Sequence, residues 1–227
     1  MIPKLIHKII ITDDGKIPEF NEELTQAIET WYHLNPKYEV VWYSGEDIEQ
    51  YIQEYFDART LAAYKKVKPY AFKCDFARQL ILYKEGGWYS DLRQVCLHAL
   101  PSSHDYYCVV DCPPNQLCMY NALIGTVPGH PITKKYIDTM IFNIEHDHYG
   151  LDCLYVTGPG VYMQSAIDYV RTHPADCGVG VHTSDEYIEF GKVKFVKCKY
   201  NDARGADNCD IPGTNDYGEM WRRGRVY

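Results

Sequence analysis

The chain has 227 residues, of which 46% are apolar, and a formal net charge of −8. This length and apolar content suit one large domain with a sizeable core, and the acidic balance argues against a nucleic-acid-binding surface, which needs a basic patch. An acidic protein can still bind an anionic nucleotide, because a few local arginines, lysines and backbone N–H groups suffice.

The N-terminus and the apolar runs predict a protein without a membrane span. Residues 1–7 enter a strand pattern directly and lack the regions of a signal peptide. No apolar run approaches the ~20 residues of a membrane helix, which leaves only peripheral association with a membrane open. The nine cysteines include no Cys-x-x-Cys pair, which favours free thiols. We therefore expect a cytoplasmic location.

Two groups of potential metal ligands have unfavourable spacings. Cys108, Cys112 and Cys118 match no common zinc pattern. His146 and His148 lie two residues apart near a predicted helix end, so their rings would point to different faces. Neither group predicts a metal site.

Strands and helices alternate along the chain and then give way to shorter strands, which predicts one α/β domain with a mixed sheet flanked by helices. The predicted strands cover 5–12, 38–43, 88–91, 106–111, 120–127, 179–182, 187–190 and 193–197. Helices are predicted at 18–34, 58–66, 69–86, 130–146 and 161–171, with a further one opened by the capping box of residues 44–47. The tail at 201–227 is rich in Gly, Asp, Asn and Arg and is predicted to be irregular.

The most informative segment is an amphipathic helix, a glycine break and a short strand that ends on Asp91. Asp75 and Arg78 are three residues apart on the helix face opposite the apolar stripe. An acid at the C-terminal end of a strand lies where α/β folds bind ligands, and it can accept hydrogen bonds from hydroxyls or bind a divalent cation. An aspartate that only caps a turn is the alternative.

Ordered motifs along the chain resemble the sugar-transferase family that carries an Asp-x-Asp motif, which is glycosyltransferase family 32-like and related in its core to the glucosylating bacterial toxins. They are the opening strand at 2–8, Trp31 with Asn35-Pro36, Tyr38 and Val41-Trp42, then Asp75-x-x-Arg78, Gly86-Gly87-x-Tyr89-x-Asp91, Asn121-Ala122, Gly129-His130-Pro131 and Thr157-Gly158-Pro159. Their order and spacing are more specific than any one motif.

The resemblance implies a single GT-A-type domain with a Rossmann-like sheet, in which 1–127 is the nucleotide-sugar-binding half and 128–227 the acceptor half and tail. It implies transfer of a hexose from a nucleotide-diphosphate sugar to a glycan or other hydroxyl acceptor, usually with retention of configuration. A UDP-sugar is favoured over a GDP-sugar, and Mn²⁺ or Mg²⁺ is the usual cofactor.

Donor-binding roles follow from the same resemblance. Trp42 matches an aromatic that packs near the base, although a tryptophan in the core is an equal alternative. Asp75 and Arg78 match a pair that holds the donor sugar and ribose, with a solvated ion pair as the alternative. Gly87 belongs to the glycine pair of the core motif. Asp91 matches the first aspartate of Asp-x-Asp, which contacts ribose and sugar and helps to hold the metal.

The tail offers two further candidates. The family often places a His or Asn near a Trp at the C-terminus, beside the metal and the diphosphate. Here Asp216 precedes Trp221. We therefore predict that Trp221 contributes to the donor site and that Asp91 and Asp216 are the metal ligands.

Arg93 departs from the family pattern, because it stands where the second aspartate would be. Arginine is cationic and has no lone pair to offer a metal. Arg93 could replace the metal by pairing with the diphosphate, which makes Asp91 and Arg93 the predicted catalytic residues. Alternatively, Asp91 and acids of the tail hold the metal, or the protein is an inactive member that binds nucleotide sugars or serves as a scaffold. We favour the first interpretation.

Overall fold

The computed structural model describes residues 1–112, 118–200 and 211–227, which form a nine-stranded mixed sheet flanked by helices. The strands are β1 (Leu5–Ile9), β2 (Glu39–Tyr43), β3 (Gly87–Ser90), β4 (Val95–Cys96), β5 (Tyr106–Val110), β6 (Leu123–Thr126), β7 (Cys177–His182), β8 (Tyr187–Phe190) and β9 (Val193–Lys197). The helices are α1 (Glu22–Leu34), α2 (Gly45–Tyr55), α3 (Ala58–Lys66), α4 (Tyr70–Glu85), α5 (Pro131–Glu145), α6 (Pro159–Thr172) and α7 (Tyr217–Arg222), with a 3-10 turn at Cys153–Tyr155. The predicted α/β class is confirmed.

The order of the strands creates a crevice at the carboxyl ends of two neighbouring strands. The order is β2-β1-β3-β6-β5-β7-β8-β9-β4. The chain passes from β1 to β2 on one side and returns to β3 on the other, and both strands run parallel to β1. The carboxyl ends of β1 and β3 therefore meet at a topological switch point, where α/β sheets bind their ligands.

Apolar residues on the two faces of the sheet form separate cores. Ile9 and Ile11 point toward the large core beneath α2 to α6, whereas Ile6 points toward the core that contains Trp31 and Trp88. This alternation follows from the two-residue period of a strand. Both faces are covered, which explains why four of the five residues of the parallel strand β1 are buried, His7 and Lys8 among them.

Local signals set the ends of the helix that precedes β3. Pro69 stands at the N-cap of α4, and Gly86 ends the helix with φ +66°. The alternative of a solvated ion pair is excluded, because Asp75 and Arg78 are both buried. The helix packs against α5 and the sheet on several sides, so its polar face lies against the crevice instead of bulk water.

The tail is more regular than its composition predicts. Residues 201–210 lie outside the described part of the chain. The prediction of irregular structure is wrong for α7, where the Asp216 carboxylate accepts a hydrogen bond from the backbone N–H of Glu219 at 2.8 Å. This cap, together with packing of Tyr217 and Trp221 against the large core, stabilises a short helix.

A lysine is fully buried in the strand beneath the crevice. Lys8 Nζ donates to Ser90 Oγ at 2.8 Å and to the backbone carbonyl of Asp91 at 3.3 Å, and it lies 4.3 Å from the ring centroid of Trp31. Burial lowers the pKa of Lys8 to about 7, although the Asp91 carboxylate opposes this shift. Lys8 thus connects β1 to the turn that carries Asp91.

The lowered pKa of Lys8 predicts a specific dependence of stability on pH. Because the folded protein binds the lysine proton more weakly than the unfolded chain, this group disfavours folding most below pH 7, and the penalty falls as the pH rises from 7 toward 10.5. Between pH 7 and pH 9, wild type should gain about 2 kcal/mol relative to Lys8→Met. Urea unfolding of both proteins at the two pH values measures this gain. Lys4→Met, at an exposed position directly before β1, is the control. Equal gains for wild type and Lys8→Met would contradict the prediction.

Candidate functional site

A cleft of about 300 Å³ opens at the switch point of the sheet. The ends of β1 and β3 form its floor, and residues from α4, the 3-10 turn, the start of α6, the segment after β9 and α7 form its walls. The polar and charged residues that line it are Tyr70, Asp75, Arg78, Tyr89, Asp91, Arg93, Tyr120, Asn121, Lys199, Thr214 and Tyr217. Both halves of the chain therefore contribute to one cleft.

A buried guanidinium group organises the floor of the cleft. Arg78 Nη1 donates to the backbone carbonyl of Asn121 at 2.7 Å and lies 3.5 Å from Asp91 Oδ1, while Nη2 lies 3.3 Å from Asp75 Oδ1. The guanidinium carbon is 4.3 Å from the ring centroid of Tyr89, in cation–π geometry. Burial opposes the charge on Arg78, but Tyr89 and the two carboxylates raise its pKa above the ordinary value.

Asp75 is a buried carboxylate held by donors from two distant segments. Asn121 Nδ2 donates to its Oδ1 at 2.7 Å, and Thr157 Oγ1 donates to its Oδ2 at 3.0 Å. Burial raises the pKa of Asp75 to about 6, although Arg78, Thr157 and Asn121 all favour the charged form. Above pH 6 the group is therefore an anion that ties α4 to both segments.

Asp91 is the accessible carboxylate of this network. Its side chain is 43% exposed, whereas the Arg78 side chain beside it is almost completely covered. Tyr89 Oη donates to Asp91 Oδ1 at 2.6 Å, and the Arg78 ion pair is at the same oxygen. One carboxylate oxygen is thus oriented by the protein, which leaves the other free to accept hydrogen bonds from hydroxyl groups of a ligand.

Arg93 lines the cleft two residues beyond Asp91. A cationic side chain therefore stands where the family pattern has a metal-binding aspartate. In the described part of the chain, two groups of His, Cys, Asp or Glu side chains are close enough to hold an ion, and neither contains Asp91 or Asp216. Among the described residues, Asp91 therefore belongs to no group of three potential ligands for Mn²⁺ or Mg²⁺, and its near neighbour Arg78 is a cation. The metal role of Asp91 and Asp216 stays a prediction.

Three of the predicted donor-binding residues, Trp42, Gly87 and Trp221, are not among the described residues that line the cleft. Trp42 donates from Nε1 to Tyr32 Oη at 3.0 Å and packs with Phe20 against a small core that includes Ile10. Gly87 has φ +93°, and a Cβ there would lie 2.9 Å from the carbonyl oxygen of Leu5. Close approach of β3 to β1 explains this glycine without a ligand, and the predicted roles of both residues in binding stay untested.

The two predicted tail residues are placed by α7. Trp221 Nε1 donates to the backbone carbonyl of Tyr149 at 2.8 Å, and the ring packs against the large core. The exposed carboxylate of Asp216 caps the helix. Their neighbour Tyr217 does line the cleft, so α7 contributes a wall through a different residue from the two predicted.

The structure adds residues that sequence reasoning did not assign to the site. Asn121 and Thr157 were interpreted as motif residues and turn residues, yet both donate to Asp75. Tyr89 and Lys8 orient the side chain and the backbone of Asp91. A sequence signal for Asn121 and Thr157 exists, because both stand in segments that recur in the family. The spacing of these segments does not predict that both side chains bind the same carboxylate.

Comparisons with known proteins give a family-model match and relatives that are named as glycosyltransferases. Residues 21–110 match the family model described as "Glycosyltransferase sugar-binding region containing DXD motif". The "Uncharacterized glycosyltransferase L373" of Acanthamoeba polyphaga mimivirus is 29% identical over 179 residues, which are 78% of this chain and 69% of the relative. "Inositol phosphoceramide mannosyltransferase 3" of Schizosaccharomyces pombe is 29% identical over 162 residues, 70% of this chain but 43% of that protein.

A solved structure supports the fold. "PaToxG Glycosyltransferase" superimposes with a TM-score of 0.58 at 21% identity, covering 75% of this chain and 70% of that one. The fold and the cleft thus define a GT-A-like protein. The resemblance to the DXD-motif sugar-transferase family is confirmed by these matches, with arginine in place of the second aspartate. No helix in the described ranges has both the length and the apolar character that a membrane span needs.

The hydrogen bond from Thr157 to Asp75 predicts a pH-dependent loss of stability in Thr157→Val. Above pH 6 the substitution leaves a buried carboxylate oxygen without its donor, which should cost about 1–3 kcal/mol of unfolding free energy at pH 8. At pH 5 the carboxyl group is largely protonated, so the loss should be smaller. Urea unfolding at both pH values measures it, with exposed Thr172→Val as the control. An equal loss at pH 5 and pH 8 would show that Thr157 does not stabilise the charged carboxylate.

Proposed function

We propose that this protein is a glycosyltransferase that moves a hexose from a nucleotide-diphosphate sugar to a hydroxyl group of a glycan or another acceptor. The observation that carries the proposal is the partly exposed Asp91 at the switch point, held between the buried Arg78 and the cleft. The relatives named glycosyltransferase and mannosyltransferase support sugar transfer, and mannose is a hexose.

The distribution of charge in the cleft suits a nucleotide-diphosphate sugar. Asp91 offers a carboxylate oxygen to the hydroxyls of ribose or of the sugar. Arg93 and Lys199 line the same cleft and offer cationic donors to phosphate oxygens. Three tyrosines, Tyr70, Tyr120 and Tyr217, supply ring surface for the base or the sugar. The cleft of this acidic protein thus offers cationic donors beside an accessible carboxylate.

The size of the cleft supports the smaller nucleotide. Its volume of about 300 Å³ lies at the lower end of the range of small-molecule sites. Uracil is smaller than guanine, so we propose a UDP-sugar over a GDP-sugar. In this proposal, residues 1–127 supply the donor side through Asp75, Arg78, Asp91 and Arg93. Residues 128–227 supply the acceptor side and the tail.

The proposed chemistry follows from positioning and charge. The bond from the anomeric carbon to the diphosphate oxygen breaks, and a new bond forms to the acceptor oxygen. In a front-face, retaining reaction the departing phosphate oxygen takes the proton of the acceptor hydroxyl. Arg93 stabilises the leaving diphosphate by bidentate hydrogen bonds, in the role that a cation has in metal-dependent relatives. Asp91 fixes the donor, which lowers the entropic part of the barrier.

The second candidate function is donor binding without transfer, as an inactive or scaffold member of the family. Arg93 is the observation that favours it, because it removes a metal ligand of the family pattern. The two candidates share donor binding and differ in turnover. Turnover with an intact cleft would exclude the inactive member.

Donor binding is tested by calorimetry with a panel of UDP- and GDP-sugars. We expect a UDP-sugar to bind wild type and Asp91→Asn to bind it about 10- to 100-fold more weakly, because a charge-assisted hydrogen bond is lost. Asp138→Asn, an exposed acid on α5, should bind like wild type. If no donor binds to the folded protein, or if Asp91→Asn binds as tightly as wild type, the proposal fails.

Turnover assays with Mn²⁺ or with EDTA separate the interpretations of Arg93. If Arg93 replaces the metal, wild-type turnover should survive EDTA, and Arg93→Asp should lose most of its activity because it places an anion beside the diphosphate. Arg93→Lys keeps the charge without the bidentate geometry and should retain part of the activity. Abolition of wild-type turnover by EDTA, with Mn²⁺-dependent activity in Arg93→Asp, would instead support a metal held by Asp91 and other acids.

A further inference from the structure

Three potential metal ligands meet at one end of the hairpins formed by β7, β8 and β9. His182 is the last residue of β7, Glu186 lies in the turn before β8, and Cys198 directly follows β9. One ligand atom from each of them lies within 4.8 Å of the other two. Cys198 also lines the cleft, which places this group beside it and apart from the Asp75–Arg78 network.

The histidine is already oriented as a metal ligand. His182 Nδ1 lies 2.8 Å from Asp111 Oδ1, and because a carboxylate accepts, this nitrogen carries the proton. Nε2 then presents a lone pair, and the His182 side chain is 7% exposed. Among the described residues, none forms a hydrogen bond with Nε2, although Glu186 Oε2 is 3.5 Å away. The Nε2 lone pair and Glu186 Oε2, on a side chain that is 41% exposed, thus face the same point, where one cation would interact with both.

This arrangement matches the outer shell of known metal sites. A histidine that ligates zinc usually donates its other ring N–H to a carboxylate, which fixes the tautomer and the ring orientation. Asp111 takes that position here. The 3.5 Å between Nε2 and Oε2 is also close to the about 3.4 Å that separates two ligands on a tetrahedral zinc ion.

The glutamate is held in place by its backbone and by a lysine. Glu186 has φ +65°, an uncommon conformation for a residue other than glycine. Its carbonyl accepts from the backbone N–H of Cys198 at 2.7 Å, which joins two of the ligand-bearing segments. Lys199 Nζ lies 3.3 Å from Oε1, so the other oxygen, Oε2, is the one directed toward His182.

We propose that His182 Nε2, Glu186 Oε2 and Cys198 Sγ form a binding site for a Zn²⁺-class transition-metal ion, with Asp111 as the outer carboxylate. Thiolate and imidazole ligands select zinc-like ions over Mg²⁺ or Mn²⁺, which prefer oxygen. Three protein ligands leave the fourth tetrahedral position open. The proposal does not depend on sugar transfer, although Cys198 and Lys199 also line the proposed donor cleft.

A second group shares the same histidine. Asp111, Cys112 and His182 also lie within 4.8 Å of one another. In that group Asp111 would be a direct ligand, and its hydrogen bond to Nδ1 would be lost. The free lone pair of Nε2 favours the site with Cys198, and the two thiols distinguish the alternatives experimentally.

The test is a Co²⁺ titration of the full chain after removal of metals with EDTA, because cobalt bound to a thiolate gives a charge-transfer band in the near ultraviolet. Wild type should bind one Co²⁺ per chain with this band, and Zn²⁺ should displace it. Cys198→Ser should lose the band, whereas Cys112→Ser and the cleft-lining control Cys153→Ser should keep it. Asp111→Asn should keep the band with about 10- to 100-fold weaker affinity.

Circular dichroism of each variant confirms that loss of the band is not loss of the fold. Failure of folded wild type to bind Co²⁺ and Zn²⁺ would overturn the proposal. It would also be overturned if the band survived in Cys198→Ser, or if Cys112→Ser alone abolished it. Because no sugar donor is present, these results do not depend on whether the protein transfers sugar.

Discussion

A guanidinium group that cannot lose its charge is buried at the floor of the cleft, and the placement of the groups around it follows from this constraint. Arg78 requires anions and acceptors on every side, since an unpaired buried charge is strongly destabilising. Asp75, Asp91 and the carbonyl of Asn121 supply them. The same contacts fix α4 against the end of β3, so the site and the fold depend on one network.

Arg93 adds a cation next to a network that has one accessible carboxylate. Asp75 is saturated by donors from Asn121 and Thr157, and Asp91 is the carboxylate with an accessible side. A second aspartate two residues further on would provide a pair of acids for a cation. An arginine provides the cation itself, fixed to the chain. In the proposed function, an arginine side chain therefore supplies the positive charge that a bound metal ion supplies in the family pattern.

Sequence reasoning predicted the parts of this site that depend on local signals. Pro69 and Gly86 bracket α4 as expected, and the strand that follows ends at Ser90, one residue before the predicted Asp91. The buried state of Asp75 was missed, because burial depends on what packs over a helix and not on its own periodicity. The short helix α7 was also missed, although the Asp216 cap and Glu219 three residues later are a readable local signal in a segment rich in Gly and Asp.

Contacts between distant segments could not be predicted from one sequence. His182, Glu186 and Cys198 come together through the pairing of β7, β8 and β9, and no spacing rule connects them with Asp111. Trp42 illustrates the same limit, since an aromatic residue on a strand fits a core face and a ligand face equally well. The resemblance to a family identified the cleft-lining Asp91 and Arg78, and the fold decided which neighbours complete the site.

The most direct test of the account is a crystal structure of the protein with bound UDP. The account predicts the ribose hydroxyls within hydrogen-bond distance of Asp91, next to the Arg78 network, and the diphosphate in contact with the guanidinium of Arg93. UDP bound outside this cleft, or bound with Asp91 turned away from the nucleotide, would contradict it.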